Sequence, residues 1–240
     1  MKPAFYALAP GGWRDYVTLL HPPYTLWHLS YVAIGAGLAA RLDGPRLIET
    51  FVAFFLAMGI GAHALDELNG RPLQTRISDT TLIGLAAVSI GAAAAIGVVV
   101  AISFSLWLLA FVAVGGFIVV AYNLELFGGR FHSDLWFALA WGSFPLVTAY
   151  FAMVGRLRVD AVVAAAFAAL LSLAQRRLST PVRTVRRQLE SVEGRVVWRD
   201  GREEPVTPSL LTAGAEGALR VLTLATVALG AALLLQHAVR

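Results

Sequence analysis

The chain has 240 residues, of which 58% are hydrophobic and 14% charged, and its mean hydropathy is +0.71. Soluble domains carry roughly 45–50% apolar and about 25% charged residues, so this composition excludes an ordinary water-soluble fold and predicts membrane helices. The net charge of +4 and the pI near 9.8 favour anionic lipid headgroups over nucleic acid as a partner, because most basic residues crowd into one loop beside apolar segments.

The chain begins with a predicted interfacial segment, residues 1–22. Four apolar side chains recur there at helical spacing: Trp13, Tyr16, Val17 and Leu20. This stripe is typical of a short helix lying on a membrane surface. A residue before proline avoids helical geometry, whereas proline suits the first turn of a helix, so we expect the first membrane helix to begin near Pro23.

Charge-poor segments predict seven membrane helices, and thus an all-α polytopic bundle. The stretch Thr80–Leu124 contains no Asp, Glu, Lys or Arg. One crossing needs about 20 residues, so this stretch predicts two helices joined by a turn near Ser103–Ser105. The other predicted spans are Tyr16–Ala40, Thr50–Leu65, Leu135–Gly155, Ala161–Gln175 and Leu210–Gln236. We therefore divide the chain into a six-helix core (23–175), a basic loop (176–208) and a seventh helix (209–240).

The basic loop 176–208 is the one sizeable extramembrane piece. Its first half, up to Glu193, is predicted to be a basic helix whose arginines bind phosphate, either of lipid headgroups or of a substrate diphosphate. The second half, from Arg195, is typical of a β-hairpin that turns at Asp200-Gly201.

Lysine and arginine are more numerous in one of the two alternating sets of loops than in the other. This difference predicts the orientation of the chain in the membrane. One set is Lys2, Arg14, Arg71, Arg76, Arg130 and the arginines of 176–208; the sparser set is Arg41, Arg46, Arg156, Arg158 and Arg240. The positive-inside rule places the N-terminus in the cytoplasm and the C-terminus outside. There is no cysteine, so the redox compartment stays open, and we expect targeting by the first membrane helix rather than by a signal peptide.

Ionisable residues gather at the predicted cytoplasmic face. His63, Asp66 and Glu67 are spaced i, i+3, i+4, which places them on one side of a helix. Three more approach from neighbouring helices: Glu125, His132 and Asp134. Imidazole and carboxylate groups so arranged predict a site for a divalent metal, Mg²⁺ or alternatively Fe or Mn. The alternative interpretation, applied chiefly to His21 and His132, is an interfacial group in water or bonded to a helix end.

Four stretches of this sequence resemble the UbiA-type intramembrane prenyltransferases, in the right order and spacing over residues 15–175. They are His21–Ala39, Asp66–Ser78, Ala121–Phe127 and Leu135–Phe151. The first is similar to the family's first helix, the second to the end of its first aspartate motif and the following Arg-Pro, and the others to its fourth and fifth helices. The resemblance implies a cavity that faces the cytoplasm and an isoprenoid or polyprenyl lipid substrate.

The sequence departs from the family at both aspartate motifs. If Asp66 is the last Asp of Asn-Asp-x-x-Asp-x-x-x-Asp, the earlier positions hold Met58, Gly59 and Ala62. The second motif would fall near Gln175–Pro181, where there is no acid. The chain is also about two helices short of the family's nine. The usual two-metal arrangement therefore cannot be built, and we expect a replacement metal site.

The resemblance and the clustering together assign roles to named residues. Asp66, Glu67 and Arg71 are expected to be catalytic, with Asp66 and Arg71 matching family positions. The expected substrate-binding residues are His28, Asn69, Arg76, Asn123, Arg130, Arg176 and Arg177. The expected metal ligands are His63, Asp66, Glu67, Glu125, His132 and Asp134. His28, which lies about 7–8 Å inside its helix at 1.5 Å per residue, is interpreted equally as a site residue or a hydrogen-bonded core histidine.

Three functions are compatible with these features. The first is a metal-assisted prenyl or lipid transferase acting at the cytoplasmic face. The second is a non-haem iron oxidase on the same scaffold, favoured by mixed His and carboxylate ligands. The third is a non-catalytic lipid-binding or assembly subunit, favoured by the lost motifs, with a homo-oligomer or a partner membrane subunit as its context.

Overall fold

A computed structural model describes residues 2–239, which form a bundle of eight helices with one small hairpin. The helices are α1 (Trp13–Leu19), α2 (Pro22–Gly37), α3 (Gly44–Leu68), α4 (Asp79–Ser103), α5 (Leu108–Asn123), α6 (Asp134–Val154), α7 (Val159–Arg187) and α8 (Pro208–Leu235). By length and composition α3, α4, α6, α7 and α8 can each cross a membrane, and α5 is a shorter apolar helix. The chain is thus an integral membrane protein with a helical bundle. Within residues 2–239 five helices, rather than the predicted seven, are long and apolar enough to cross a membrane, because α5 and α2 have only 16 residues each.

The segment predicted to lie on the membrane surface contains the helix α1, and the two faces of this helix differ in exposure. Trp13 and Tyr16 are exposed, whereas Asp15 is buried. The Asp15 carboxylate accepts hydrogen bonds from the backbone N–H groups of Gly11 at 2.9 Å and Arg76 at 3.0 Å. The inward face of α1 is therefore fastened to the loop that follows α3, and its aromatic face stays free for the membrane surface.

Close helix packing depends on glycines at three crossings. A Cβ atom on Gly35 of α2 would lie 2.1 Å from the Leu146 carbonyl oxygen of α6, and one on Gly142 of α6 would lie 2.5 Å from the Ala168 carbonyl oxygen of α7. On α8, a Cβ on Gly230 would lie 2.9 Å from Cβ of Ala33. Membrane helices approach closely through such small residues because van der Waals contact, rather than the hydrophobic effect, holds them together.

Two helices contain π-helical turns, Phe55–Ala62 in α3 and Ala138–Ser143 in α6. Such widened turns often occur at functional sites, because they disturb the regular backbone ladder. Here a carbonyl in each accepts a hydrogen bond from a histidine: Gly59 from His63 at 3.1 Å, and Trp141 from His28 at 2.9 Å. Both π turns therefore help to orient imidazole rings.

Helix α7 does not end at the predicted boundary between Gln175 and Arg176. It continues through Pro181 to Arg187 and ends before Glu193, where the predicted basic helix was expected to end. The reason is its inward face: Ser179, Val182 and Val185 are buried, at helical spacing that extends the apolar stripe past the membrane segment. The first arginines of the basic loop are therefore part of a membrane-crossing helix.

The predicted hairpin is confirmed. Strand β1 (Arg195–Val197) pairs antiparallel with β2 (Glu203–Pro205). The turn between them has Gly201 at φ 85° and is closed by a hydrogen bond from the Trp198 N–H to the Arg202 carbonyl, 2.8 Å. Glycine suits this position because its backbone adopts positive φ without steric cost.

Candidate functional site

A polar cavity opens where α3 and α5 end and α6 begins, at what we call the basic face. The cavity is partly open to solvent. Its walls come from α2, α3, α5, α6 and α7, and the N-terminal segment Pro3–Tyr6 covers part of it. Six of the predicted site residues line it: His28, His63, Asp66, Asn123, His132 and Arg176.

Three arginines of α7 supply the positive charge of the cavity. Arg176 is already engaged, since its Nε lies 2.5 Å from the Asp134 carboxylate and it donates to the Tyr122 hydroxyl at 2.6 Å. Arg183 donates to the Thr180 hydroxyl at 3.1 Å, and Arg187 donates to the Pro3 carbonyl at 3.2 Å. Within residues 2–239 neither Arg183 nor Arg187 has a carboxylate partner, so both guanidinium groups remain available for an anion.

Asp66 is the one carboxylate among the cavity-lining residues within the described chain. It projects from the last turns of α3, next to His63. Because one carboxylate faces Arg183 and Arg187 across the cavity, the net formal charge of this group is positive. The electrostatics therefore favour an anionic ligand over a cation.

The cavity histidines are fixed by backbone carbonyls. His28, His63 and His132 each donate from Nδ1 to a carbonyl, with the bond from His132 reaching Tyr122 at 3.0 Å. Donation from Nδ1 leaves an acceptor lone pair at Nε2 when the ring is neutral. His28 is thus a hydrogen-bonded, buried histidine that also lines the cavity. Its role in binding substrate stays a prediction.

His21 and Tyr6 form the roof of the cavity. The Tyr6 hydroxyl lies 2.7 Å from Nδ1 of His21, whose ring stacks on His63 at 4.2 Å between centroids. Burial, together with the neighbouring His63 and Arg187, lowers the pKa of His21 well below its ordinary value, since a desolvated site disfavours the imidazolium. Burial likewise raises the pKa of Tyr6. Burial therefore disfavours a charge on both of these groups.

Glu67, expected to be catalytic and a metal ligand, is directed away from the cavity. Its side chain is fully buried, and its carboxylate accepts three hydrogen bonds. The donors are the Leu73 N–H at 2.9 Å, the Thr75 N–H at 2.8 Å and the Thr75 hydroxyl at 2.8 Å. These bonds occupy both oxygens, so Glu67 holds the loop after α3 in place.

The loop residues Asn69, Arg71 and Arg76 do not line the cavity either. Asn69 donates to the Asn123 carbonyl at 3.3 Å, which connects the ends of α3 and α5. Arg71 donates to the Ile77 carbonyl at 2.6 Å and pairs with Asp79, so the arginine that matches the family position closes its own loop.

The remaining predicted residues lie on the surface. Glu125 is 53% and Asp134 59% exposed at the side chain, and Asp134 is paired with Arg176. Arg130 and Arg177 are exposed and outside the cavity.

The positions of these residues decide whether they can form the expected metal site. Within residues 2–239 no three His, Asp or Glu side chains come together as a metal-binding group. Mg²⁺ requires near-octahedral oxygen ligands, and Asp66 alone supplies cavity carboxylate oxygens. The residues present therefore do not fit the two-metal diphosphate site of UbiA-type enzymes.

The cavity is also lined by Arg183, Arg187, Tyr6 and Gln175. The sequence predicted phosphate binding for the arginines of the basic helix as a group, which includes Arg183 and Arg187, and gave Tyr6 and Gln175 no role. The arginines were recognised only as part of a basic run. Their spacing from Arg176, i+7 and i+11, places them on one side of a continuous helix, and that signal becomes readable once α7 is known to extend to Arg187.

In comparisons with models of protein families, with curated proteins and with solved structures, nothing matches this chain.

Proposed function

We propose that the chain is a membrane enzyme that binds a phosphate-bearing isoprenoid or related lipid in the polar cavity and transfers its hydrocarbon group. The observation that carries this proposal is the pair Arg183 and Arg187, which face the same cavity as Asp66 without carboxylate partners in residues 2–239. Guanidinium groups bind phosphate through charge-assisted hydrogen bonds. The resemblance to UbiA-type prenyltransferases supports the isoprenoid substrate.

A second, apolar space lies between α3, α4, α5 and α6, and its lining is mostly Ala, Gly, Val, Ile and Phe. It shares no lining residue with the polar cavity. Apolar walls of this kind suit a lipid chain.

In the proposed transfer, the bond between the hydrocarbon carbon and the phosphate oxygen breaks, and its electron pair leaves with the phosphate. The same carbon forms a new bond to the nucleophilic atom of a protic acceptor molecule. Arg183 and Arg187 stabilise the negative charge that develops on the phosphate. Asp66 accepts the proton that the attacking group loses, as a general base. Tyr6, at the end of the N-terminal segment, and His21, which it contacts, help to exclude water.

The binding step is tested with geranylgeranyl diphosphate and the full-length protein in phosphatidylcholine nanodiscs. Each charged hydrogen bond contributes roughly 1.5–3 kcal/mol, so the double variant Arg183→Gln, Arg187→Gln should bind at least about tenfold more weakly. Arg177→Gln, exposed on the same helix, is the matched control and should bind as the unaltered protein does. Equal affinity of the double variant and the control would refute the proposal.

Two further measurements complete this test. Inorganic diphosphate as a competitor distinguishes a lipid site from a soluble-phosphate site, because only the lipid gains affinity from its chain. Asp66→Asn should retain lipid binding and lose the release of diphosphate, since a carboxamide keeps the volume and lacks the basicity.

The second candidate is a non-catalytic lipid-binding subunit. It is favoured by the absence, in residues 2–239, of a metal-binding group. Binding that depends on Arg183 and Arg187 with no turnover of any lipid diphosphate would assign this function instead.

A further inference from the structure

The N-terminal residues 2–7, which we call the flap, cover one side of the polar cavity and belong to no helix or strand. Residues 3–6 of the flap line the cavity. Its base is fixed at the next residue, because the Leu8 N–H donates to the hydroxyl of the buried Thr18 in α1 at 3.0 Å. The flap is therefore a short arm that is attached to the surface helix at one end.

The flap is held on the bundle by three hydrogen bonds within residues 2–239. The Pro3 carbonyl accepts from Nε of Arg187 at 3.2 Å, and the Lys2 carbonyl accepts from Arg186 at 3.4 Å. The third joins the Tyr6 hydroxyl to Nδ1 of His21 at 2.7 Å. A segment with so few bonds to the rest of the protein opens locally, without global unfolding.

Arg187 can bind the flap and a ligand at the same time. An arginine carries its N–H donors in a rigid planar fork. The bond to Pro3 uses Nε of Arg187, and the terminal nitrogens have no hydrogen-bond partner in the part of the chain that the structure describes. Because the fork is rigid, a bond at Nε restricts the direction of the terminal N–H groups. A closed flap therefore orients Arg187 for a phosphate.

The neighbouring arginines of α7 do not make this connection. Arg186 is paired with Glu216 at 2.5 and 3.0 Å and does not line the cavity. Arg183 lines the cavity and makes no bond to the flap. Among residues 2–239, Arg187 is thus the one arginine that both lines the cavity and binds the flap.

We propose that the flap opens and closes over the cavity, and that a phosphate bound by Arg187 favours the closed flap. This inference rests on the proposed function, which places the phosphate at Arg183 and Arg187. By thermodynamic linkage, a closed flap raises the affinity for the phosphate by the same factor by which the phosphate stabilises the closed flap. Closure over the bound diphosphate excludes water from it.

A single cysteine in the flap reports its opening, because the chain has no cysteine. Ala4 is buried, so Ala4→Cys should react with a maleimide only while the flap is open. The full-length variant in phosphatidylcholine nanodiscs is labelled with and without saturating geranylgeranyl diphosphate. We expect this probe to slow labelling roughly tenfold, as a typical coupling between two sites would. Arg41→Cys, exposed between α2 and α3, should react equally fast in both conditions.

Two further substitutions, each added to Ala4→Cys, test whether Arg187 is the link. With Arg187→Gln, a saturating concentration of geranylgeranyl diphosphate should no longer slow labelling, because the ligand has lost its connection to the flap. Arg183→Gln is the matched control. It removes a cavity arginine that makes no bond to the flap, so protection at saturation should persist.

A third substitution loosens the flap from outside the cavity. The Arg220 guanidinium lies 5.0 Å from the centre of the Phe5 ring, and Arg220 does not line the cavity. Arg220→Gln removes this cation–π contact and should speed labelling of Ala4→Cys roughly two- to fivefold without the probe. Arg177→Gln, which removes an exposed arginine that does not contact the flap, should leave the rate unchanged. Equal rates in these two variants would show that labelling does not report release of the flap, and would overturn the proposal.

The remaining outcomes separate this inference from the proposed function. Binding of geranylgeranyl diphosphate without slower labelling overturns the coupling and leaves the phosphate site intact, and so does equal protection in Arg183→Gln and Arg187→Gln. No labelling of Ala4→Cys at all shows that the flap does not open. No binding of the probe overturns the proposed function itself. If Ala4→Cys does not fold, Ala7→Cys, also buried in the flap, allows the same comparisons.

Discussion

Asp66 and Glu67 are adjacent acids at the end of one helix, yet they have different surroundings. Asp66 lines the cavity, whereas Glu67 is buried and satisfied by the loop that contains Leu73 and Thr75. Adjacent residues on a helix are separated by about 100°, so one points to the bundle interior and the other beneath the loop. Of the two expected catalytic acids, only Asp66 is in a position to contact a ligand.

At the same scale, the burial of His21 predicts how the stability of the protein depends on pH. Burial lowers its pKa in the folded protein well below the ordinary value of 6.5. Between that folded pKa and about 6.5 the unfolded chain binds a proton that the folded protein does not, so stability falls as the pH falls. We expect the melting temperature in detergent to decrease as the pH is lowered below about 6.5.

The variant His21→Gln should reduce that pH dependence, because it removes one group that must stay neutral in the folded state. His237→Gln, at the far end of α8, is the control and should leave the slope unchanged. A slope unaffected by His21→Gln would show that other groups cause the acid sensitivity.

At the scale of elements, the close crossings of helices depend on glycines that nothing in the sequence distinguishes from the others. Gly35 lies where α2 crosses α6, and a Cβ there would overlap the Leu146 carbonyl. Backbone atoms cannot yield as a flexible side chain does, so the helices must separate. We expect Gly35→Ala to lower the melting temperature, at a cost of about 1–3 kcal/mol.

Gly84→Ala on α4 is the matched control, because nothing lies within 4 Å of a Cβ at that position. An alanine there should be neutral or slightly stabilising, since glycine in a helix costs roughly 0.5–1 kcal/mol relative to alanine. Equal melting temperatures for the two variants would contradict the close crossing of α2 and α6.

Helix α7 shows how one element connects the membrane to the site. Its arginines reach three places: Arg176 contacts α5 and α6, Arg186 pairs with Glu216 of α8 at 2.5 and 3.0 Å, and Arg187 contacts the N-terminal segment. The arginines of this one helix therefore fasten three of the segments around the cavity. A connector loop would not fix these positions.

At the scale of the whole molecule, the orientation remains a prediction from charge. Because the chain has no cysteine, single cysteines report it directly. Glu193→Cys, in the segment between α7 and the hairpin, should react with a membrane-impermeant maleimide only from the cytoplasm. Arg41→Cys, between α2 and α3, should react only from outside. The reverse pattern would invert the topology and place the cavity on the outer face.

The amino-acid sequence by itself determined the membrane bundle, its helices and the hairpin. The length of each apolar segment predicts a membrane helix, the proline pair Pro22-Pro23 predicts a helix start, and Asp200-Gly201 predicts the hairpin turn. These are local signals, because each depends on residues that are adjacent in the sequence. The clustering of ionisable residues at one membrane face could also be predicted, because the ends of successive helices alternate between the two faces. Of the clustered residues, His63, Asp66 and His132 line one cavity in the structure.

Only the tertiary structure decided which of those groups face the same space. The direction of a side chain at a helix end depends on the helix rotation, and packing at Gly35 and Gly142 sets that rotation. The extent of α7 depends on burial of Val182 and Val185, which needs partners from other helices. Contacts between segments distant in the sequence fix these positions. Because of them, the Glu67 side chain binds the loop after α3, and the side chains of Arg183, Arg187 and Gln175 line the cavity.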